Sequence, residues 1–245
     1  MAYQMTFKRY EIKYMLSLKQ QERLLDLMKS YMRLDQYGKT TIRNIYYDND
    51  NYRLIRRSME KPLYKEKLRI RSYKKSKPDS TVFVEIKKKY DHIVYKRRVC
   101  MSEQEATNWL SKDIEPQLQN QIINEINYFK KYYQHLSPKV LLSYNRMAYY
   151  DLQGSDFRIT FDDNILARTI DISLKSEVYG TLLLEEDQVL MEVKCSGGMP
   201  MWLVKFLSEE KIYKTSFSKY GKAYEKLIFN KQKNNQIYEE VAISA

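Results

Sequence analysis

The sequence predicts an α+β protein in which an antiparallel sheet curls into a β-barrel, a tunnel with helices packed on the outside. Three observations carry this prediction. About eight or nine segments alternate apolar and polar side chains at the two-residue period of a strand. The helical patterns between them do not follow the regular strand–helix–strand order of a parallel sheet. Gly and Pro number only 6 and 5, and no Gly/Ser-rich linker or internal repeat divides the chain. One domain over residues 1–230 is therefore expected, with a polar tail over residues 231–245.

In chain order, the first strand covers about residues 5 to 14, where Arg9, Glu11 and Lys13 oppose Tyr10 and Ile12. Ser17 and Gln20 have capping-box spacing, and Leu18, Leu25, Met28 and Met32 follow at helical spacing. A strand near 41 to 48 precedes KEKLRIRSY, residues 65 to 73, where Lys65, Lys67, Arg69 and Arg71 share a face opposite Leu68 and Ile70. The strand near 81 to 89 sets Glu85, Lys87 and Lys89 against Val82, Val84 and Ile86, and that near 93 to 99 aligns Lys96 with Arg98. Ser102 and Glu105 repeat the cap signature before a short helix through Trp109. A helix within 117 to 135 carries Ile122, Ile126, Phe129 and Tyr133 on one face and stops before Ser137-Pro138. Strands near 139 to 150 and 157 to 162 align Tyr144 with Arg146, and Arg158 with Thr160 and Asp162. After a strand near 182 to 186, the one near 188 to 195 sets Glu192 and Lys194 against Met191, Val193 and Cys195. A helix with Trp202, Phe206 and Leu207 follows Gly197-Gly198, and the last, from Lys219 to about Asn230, contains Tyr224, Leu227 and Ile228.

Composition bounds the function. Of 245 residues, 43 are Lys or Arg and 31 are Asp or Glu, a net charge of +12 that points to a polyanionic partner. Nucleic acid, an anionic membrane and polyphosphate-like ligands all satisfy it. Two cysteines are too few for a disulfide scaffold, and two histidines make a Cys/His zinc site improbable. No signal-peptide core or long apolar run is present, so a soluble, cytoplasmic protein is expected.

The charged strand faces have two readings. A sheet with one face in water solvates such side chains ordinarily. If the sheet closes, that face lines a lumen whose cations repel one another unless a polyanion sits among them. Arg grips phosphate oxygens in pairs and Lys supplies a mobile point charge. The few carboxylates can then hold a divalent metal that bridges phosphate oxygens. Glu85 reads equally as a metal ligand or an ion-pair partner of Lys87. The pairs Tyr46-Tyr47, Tyr132-Tyr133 and Tyr149-Tyr150 read as edge packing more readily than as base-stacking platforms. Gly197-Gly198 reads as a phosphate nest or a plain turn, and Lys74, Lys75 and Lys77 as a solvated hairpin tip. His92 and His135 have no ligand spacing.

The order RYEIKY, IYYDN, KEKLRIRSY, FVEIKKK, YKRR, SYNRMAYY, FRITFD, MEVKCSGGMPMWL and FSKYGKAY, from Phe7 to Tyr224, resembles the VTC (vacuolar transporter chaperone) domain of the triphosphate tunnel metalloenzyme superfamily. The resemblance implies a tunnel that binds triphosphate with a divalent metal, Mn²⁺ or Mg²⁺. Hydrolase and cyclase branches begin with ExExK; here Arg9 replaces the first glutamate ahead of Glu11 and Lys13. That departure favours the polyphosphate-polymerase branch, which transfers the ATP γ-phosphate to a growing chain. A tripolyphosphatase or nucleoside triphosphatase, and a polyphosphate-binding module without turnover, are the alternatives, with general RNA binding the weakest.

By the same resemblance Lys13, Arg69, Arg71, Lys87, Lys96, Arg146 and Arg158 grip phosphate, assisted by Lys67 and Arg98. Glu192 binds metal beside Lys194, with Glu85 and Glu11 as further candidates. Tyr144 lies near the phosphates, and Ser218 with Lys219 form the family's closing pair. The lysine that relatives carry two residues earlier is Ser216 here, and nearby Lys214 is left out of the site. Implied partners are ATP, inorganic polyphosphate and a membrane protein that accepts the polymer, with no nucleic acid.

Overall fold

Apolar residues on alternate positions of long strands need a cover on one side only, and this dictates the layers. The computed structural model describes residues 6–91 and 93–230, with side chains from Tyr10 onward. The 231–245 tail, the Arg9 side chain and His92 lie outside the described residues.

The chain runs β1 (Thr6–Ser17), α1 (Leu18–Met28), β2 (Met32–Leu34), β3 (Thr40–Asp48), α2 (Arg53–Met59), β4 (Tyr64–Ser72), β5 (Thr81–Tyr90) and β6 (Ile93–Ser102). It continues with α3 (Glu103–Lys112), α4 (Gln121–Tyr133), β7 (Ser137–Asp151), β8 (Arg158–Arg168), β9 (Thr181–Leu182) and β10 (Gln188–Cys195). The last elements are α5 (Met201–Glu209), β11 (Lys214–Thr215), α6 (Lys219–Tyr224) and a π-helical turn (Glu225–Phe229).

The sheet order is β2-β7-β3-β4-β5-β6-β1-β10-β8-β9, and β7 also pairs β8. The pairings from β7 through β3, β4, β5, β6, β1, β10 and β8 thus return to β7, and each is antiparallel. The barrel-like curl leaves no long edge among these strands. β1 spans two neighbours on one side: Thr6–Arg9 pair β6, and Lys13 and Tyr14 pair β11.

Outer faces are covered by helices. Leu68, Ile70, Val82, Val84, Ile86 and Val99 pack under α3 and α4 with Trp109, Ile122, Ile126 and Phe129. Tyr14, Leu16, Ile159, Phe161, Met191 and Val193 pack under α1 and α5 with Leu24, Met28, Leu203 and Phe206. A third cluster joins inward-facing Ile42, Leu142 and Leu190 to Ile55 of α2 and Tyr220, Ala223 and Tyr224 of α6. It fills one side of the lumen with apolar groups and leaves the rest polar.

The expected caps are present. Ser17 and Gln20 form a reciprocal capping box on α1, and Ser102 accepts the Glu105 N–H on α3. Asn120 caps α4 by accepting from the Ile122 and Ile123 N–H groups. Helix α2 was not expected. Its N-cap, Tyr52, lies in the left-handed region at φ 54° and supplies no side-chain bond. Buried Asp48 does so instead, accepting from Leu54 N at 2.9 Å and Ile55 N at 3.0 Å. The strand expected over 182 to 186 is shorter: only Thr181–Leu182 pair, with Ala167 and Leu166. The last helix changes to π-helical bonding at Glu225. Among the described residues no helix is long and apolar enough to cross a membrane.

Candidate functional site in the barrel lumen

Residues directly opposite in a ladder project to the same face, so register alone assembles the site. Lys67, Lys87 and Lys96 form one row across β4, β5 and β6, and Arg69, Glu85 and Arg98 form the next. Across β1, β10 and β8, Lys13, Glu192 and Thr160 are opposite one another, as are Glu11, Lys194 and Arg158. Arg146 of β7 faces Asp162 of β8, and Asn44 of β3 faces Arg71.

Each carboxylate in this lumen is shared by several cations. Asp162 receives Arg146 Nε and Nη2 at 2.5 and 2.6 Å, and its Oδ2 lies 2.5 Å from Lys219 Nζ. Glu192 receives Lys219 Nζ, Lys194 Nζ and Arg146 Nη2, each at 3.1 Å, with Lys13 Nζ 3.7 Å away. Glu85 is fully buried between Arg69 (2.7 Å), Lys96 (3.4 Å) and Arg71 (3.7 Å). Lys87 donates to both oxygens of Glu11 at 3.0 Å. Thus Glu85 pairs with neighbours on three other positions, and the partner of Lys87 is Glu11.

The protonation pattern follows. Burial pushes the carboxyls of Glu11, Glu85, Asp162 and Glu192 up, but the surrounding Lys and Arg groups outweigh it and hold all four below the usual range. Lys219 is raised despite burial, because Asp162 and Glu192 flank it. Lysines with less compensation go the other way. Burial, then Lys13, Lys87, Lys65 and Arg69, lowers Lys67 to about 7. Burial lowers Lys96 to about 7, against Glu85 and with the help of Arg71, Arg69 and Arg98. Lys194 falls to about 8 through burial, partly offset by Glu192. Lys67, Lys96 and Lys194 thus release their protons more readily than a lysine in water, while the carboxylates around them stay ionised.

The remaining expected residues also join this constellation. Tyr144, 3% exposed, lies 3.5 Å from Arg71 Nη2, with Lys219 Nζ 4.6 Å and Arg146 Cζ 5.2 Å from its ring centroid. Ser218 caps α6 by accepting from Gly221 N, and Lys67 Nζ donates to its Oγ at 3.0 Å. Lys13 Nζ donates to Phe217 O at 2.8 Å, so two lumen lysines hold the entry to α6. Arg158 lies over the Tyr150 ring, 4.4 Å from its centroid, and Arg98 over Phe83 at 4.8 Å. Lys214 is exposed on β11, outside the cluster.

Sequence reasoning did not select Asp162, Asn44 or Tyr46. Asp162 shares a strand face with Arg158 and Thr160, and that parity was its only local signal. Its partners come from β7 and α6. Asn44 accepts from Arg71 Nε at 2.9 Å, and Tyr46 Oη accepts from Arg69 Nη1 at 2.9 Å. Tyr46 and Tyr47 thus diverge: the first faces the arginines, and the second packs in the outer core. Gly197 and Gly198 precede α5, which begins after Pro200.

The donor set fits a hard divalent cation in part. Asp162 and Glu192 offer carboxylate oxygens, and Glu192 opposes ionisation of Asp162, with Lys219 and Arg146 touching both. Among the described residues no three His, Cys, Asp or Glu side chains gather as a metal cage. One or two carboxylates completed by phosphate oxygens is the arrangement Mg²⁺-type ions accept.

Comparison with known proteins agrees with this fold. The family model described as the VTC domain matches residues 8–228. The crystal structure of a candidate adenylate cyclase from Bacillus halodurans is similar over 88% of this chain and 96% of that one, with TM-score 0.56 and 14% identity. A candidate adenylyl cyclase from Hippeastrum, described as having a dominant triphosphatase activity, is similar over 89% of this chain and 95% of that one, with TM-score 0.53 and 14% identity. At such identities the likeness is one of fold. Among curated proteins no significant match was found.

Proposed function

The chain belongs to the VTC domain family, and from that premise we propose that it is a polyphosphate polymerase that transfers the γ-phosphate of ATP to a growing inorganic polyphosphate chain. The observation that carries the reading is the excess of lumen cations over lumen carboxylates: Lys13, Lys67, Arg69, Arg71, Lys87, Lys96, Arg146, Lys194 and Lys219 gather around Glu11, Glu85, Asp162 and Glu192.

Arg69, Arg71, Lys87, Lys96, Arg146 and Lys194 are proposed to grip the phosphate oxygens of donor and acceptor and align them for in-line attack. A terminal oxygen of the acceptor chain forms the new bond to the γ-phosphorus as the bond to the β-phosphate oxygen breaks, and ADP leaves. The attacking oxygen is already ionised, so no general base is required. Glu192, joined by Asp162, is the proposed holder of Mn²⁺ or Mg²⁺, which when bound supplies charge neutralisation on the transferring group. Lys13, Lys67 and Ser218 contribute by fixing α6 against the lumen, and Lys219 by orienting the two carboxylates. Use of ATP fits action in the cytoplasm.

Hydrolysis in the same lumen is the second reading, supported by the triphosphatase activity described for the Hippeastrum neighbour. Incubation with ATP and Mn²⁺, with and without a short polyphosphate primer, separates the two. A ladder of polymer on a gel is expected; orthophosphate without polymer makes water the acceptor.

A further inference from the structure

We propose that Tyr73, Tyr150 and Arg158, at one end of the barrel lumen, form a nucleobase-stacking subsite, so that the donor bound there is a nucleoside triphosphate recognised through its base as well as its phosphates. The proposal rests on the phosphate-transfer reading, which already takes ATP as donor, and adds which of this chain's residues hold the base.

The placement follows from the strands. Tyr150 is the register partner of Arg158 and has the parity of Tyr144 and Arg146, so it continues the lumen face to the end of β7. Tyr73 follows the last residue of β4 with the parity of Arg71, and meets Phe83 edge-on at 5.7 Å and 81°. Burial pulls Arg158 below the usual arginine range and Arg146 adds to the shift, while Tyr150, Asp35 and Tyr73 oppose it. The lumen tyrosines deeper inside, Tyr46 and Tyr144, are 7% and 3% exposed, whereas Tyr73 and Tyr150 are 40% and 38% exposed.

Exposed aromatic faces do nothing for a phosphate chain. The face of an aromatic ring is electron-rich and gives an anion no attraction. A purine or pyrimidine, by contrast, presents a planar π surface that stacks on Tyr and on an Arg guanidinium. Arg158 already lies over Tyr150, 4.4 Å from the ring centroid. Its side chain as a whole stays 30% exposed, so its outer face is open to a planar ligand. Asp35, whose Oδ2 lies 3.9 Å from Arg158 Nη2, accepts from Tyr37 N through its other oxygen and keeps acceptor capacity beside the same arginine. With the phosphates among Arg71, Lys194 and Arg146, a base joined through ribose falls at this rim.

The test measures binding of ATP and of inorganic tripolyphosphate by calorimetry, under one divalent-cation condition, to the full chain and to Tyr150→Leu, Tyr73→Leu and Tyr150→Phe. Loss of stacking in each leucine variant is expected to weaken ATP about tenfold and tripolyphosphate less than about twofold, with Tyr150→Phe close to the parent. Equal weakening of both ligands would mean that Tyr150 only steadies Arg158, and no change in either would mean that the rings touch nothing; both outcomes overturn the proposal. If the unsubstituted chain binds neither ligand, the phosphate-transfer reading falls first and takes this one with it. A second readout needs no variant: 2-aminopurine riboside triphosphate is expected to lose fluorescence on binding, and unquenched binding contradicts stacking.

Discussion

Lys219 Nζ sits 2.5 Å from Asp162 Oδ2 and 3.1 Å from Glu192 Oε1, so the first residue of α6 ties two neighbouring barrel strands to the C-terminal helix. Among the described residues, only Arg146 touches the same two carboxylates in a comparable way.

Replacing Lys219 by Met removes the cation and leaves two buried carboxylates sharing the remaining ones. Breaking a buried ion pair from one side strands its partner, and a loss of about 3 kcal/mol in unfolding free energy is expected in urea titration. Arg146→Met, which strips the other shared cation, is expected to cost as much. An unchanged midpoint for both would show that the cluster is not what locks α6 to the barrel.

Glu192→Gln keeps the shape of the side chain and removes one negative charge from a cation-rich lumen. Tripolyphosphate affinity is therefore expected to hold or rise. Turnover of ATP is expected to fall about a hundredfold, the scale of losing one electrostatic stabiliser of a transition state. Parallel binding and rate measurements check the split, and equal losses in both would mark Glu192 as a structural residue.

Phosphate binding is expected to depend on pH with a definite sign. Lys67 and Lys96 titrate at about 7 and Lys194 at about 8 in the free lumen, and a bound polyanion restores their protons. Affinity should fall as pH rises from about 6 to about 9, with proton uptake on binding visible as a buffer-dependent heat in calorimetry. Without ligand the sign reverses. These folded values lie below the unfolded value of 10.5, so the folded chain binds fewer protons and gains stability as pH rises from about 7 toward 10.5. Flat affinity across that range contradicts the assignment.

Tyr220 Oη donates to Asp48 Oδ2 at 3.1 Å and so connects α6 to the carboxylate that caps α2. Tyr220→Phe leaves Asp48 its three backbone donors and is expected to cost about 1 kcal/mol. Asp48→Ala strips the cap from both N–H groups and is expected to cost more. Thermal unfolding of the two variants checks the order.

The lumen was legible because its signal is local. Alternation in KEKLRIRSY and FVEIKKK set which side chains share a face, and antiparallel register then stacked those faces into rows. Ser17 and Ser102 were legible for the same reason, each cap lying within three residues of its partner. What escaped is long-range. Asp162 looked like one more polar strand residue until β7 brought Arg146 and α6 brought Lys219. The N-cap residue of helix α2, Tyr52, supplies no side-chain bond, and the acceptors for the helix's first N–H groups come from Asn49 and from Asp48 at the end of β3. Glu85 was balanced between two roles in the sequence, and only the convergence of β4 and β6 beside β5 surrounds it with Arg69, Arg71 and Lys96.

The most direct measurement follows the label of γ-³²P ATP in the presence of Mn²⁺ and a polyphosphate primer, partitioning it between acid-labile polymer and free orthophosphate. A polymerase places most of the label in chains longer than the primer, with ADP formed in equal amount. Recovery of the label as orthophosphate at every primer concentration, by protein that binds ATP and is folded, contradicts phosphate as the acceptor.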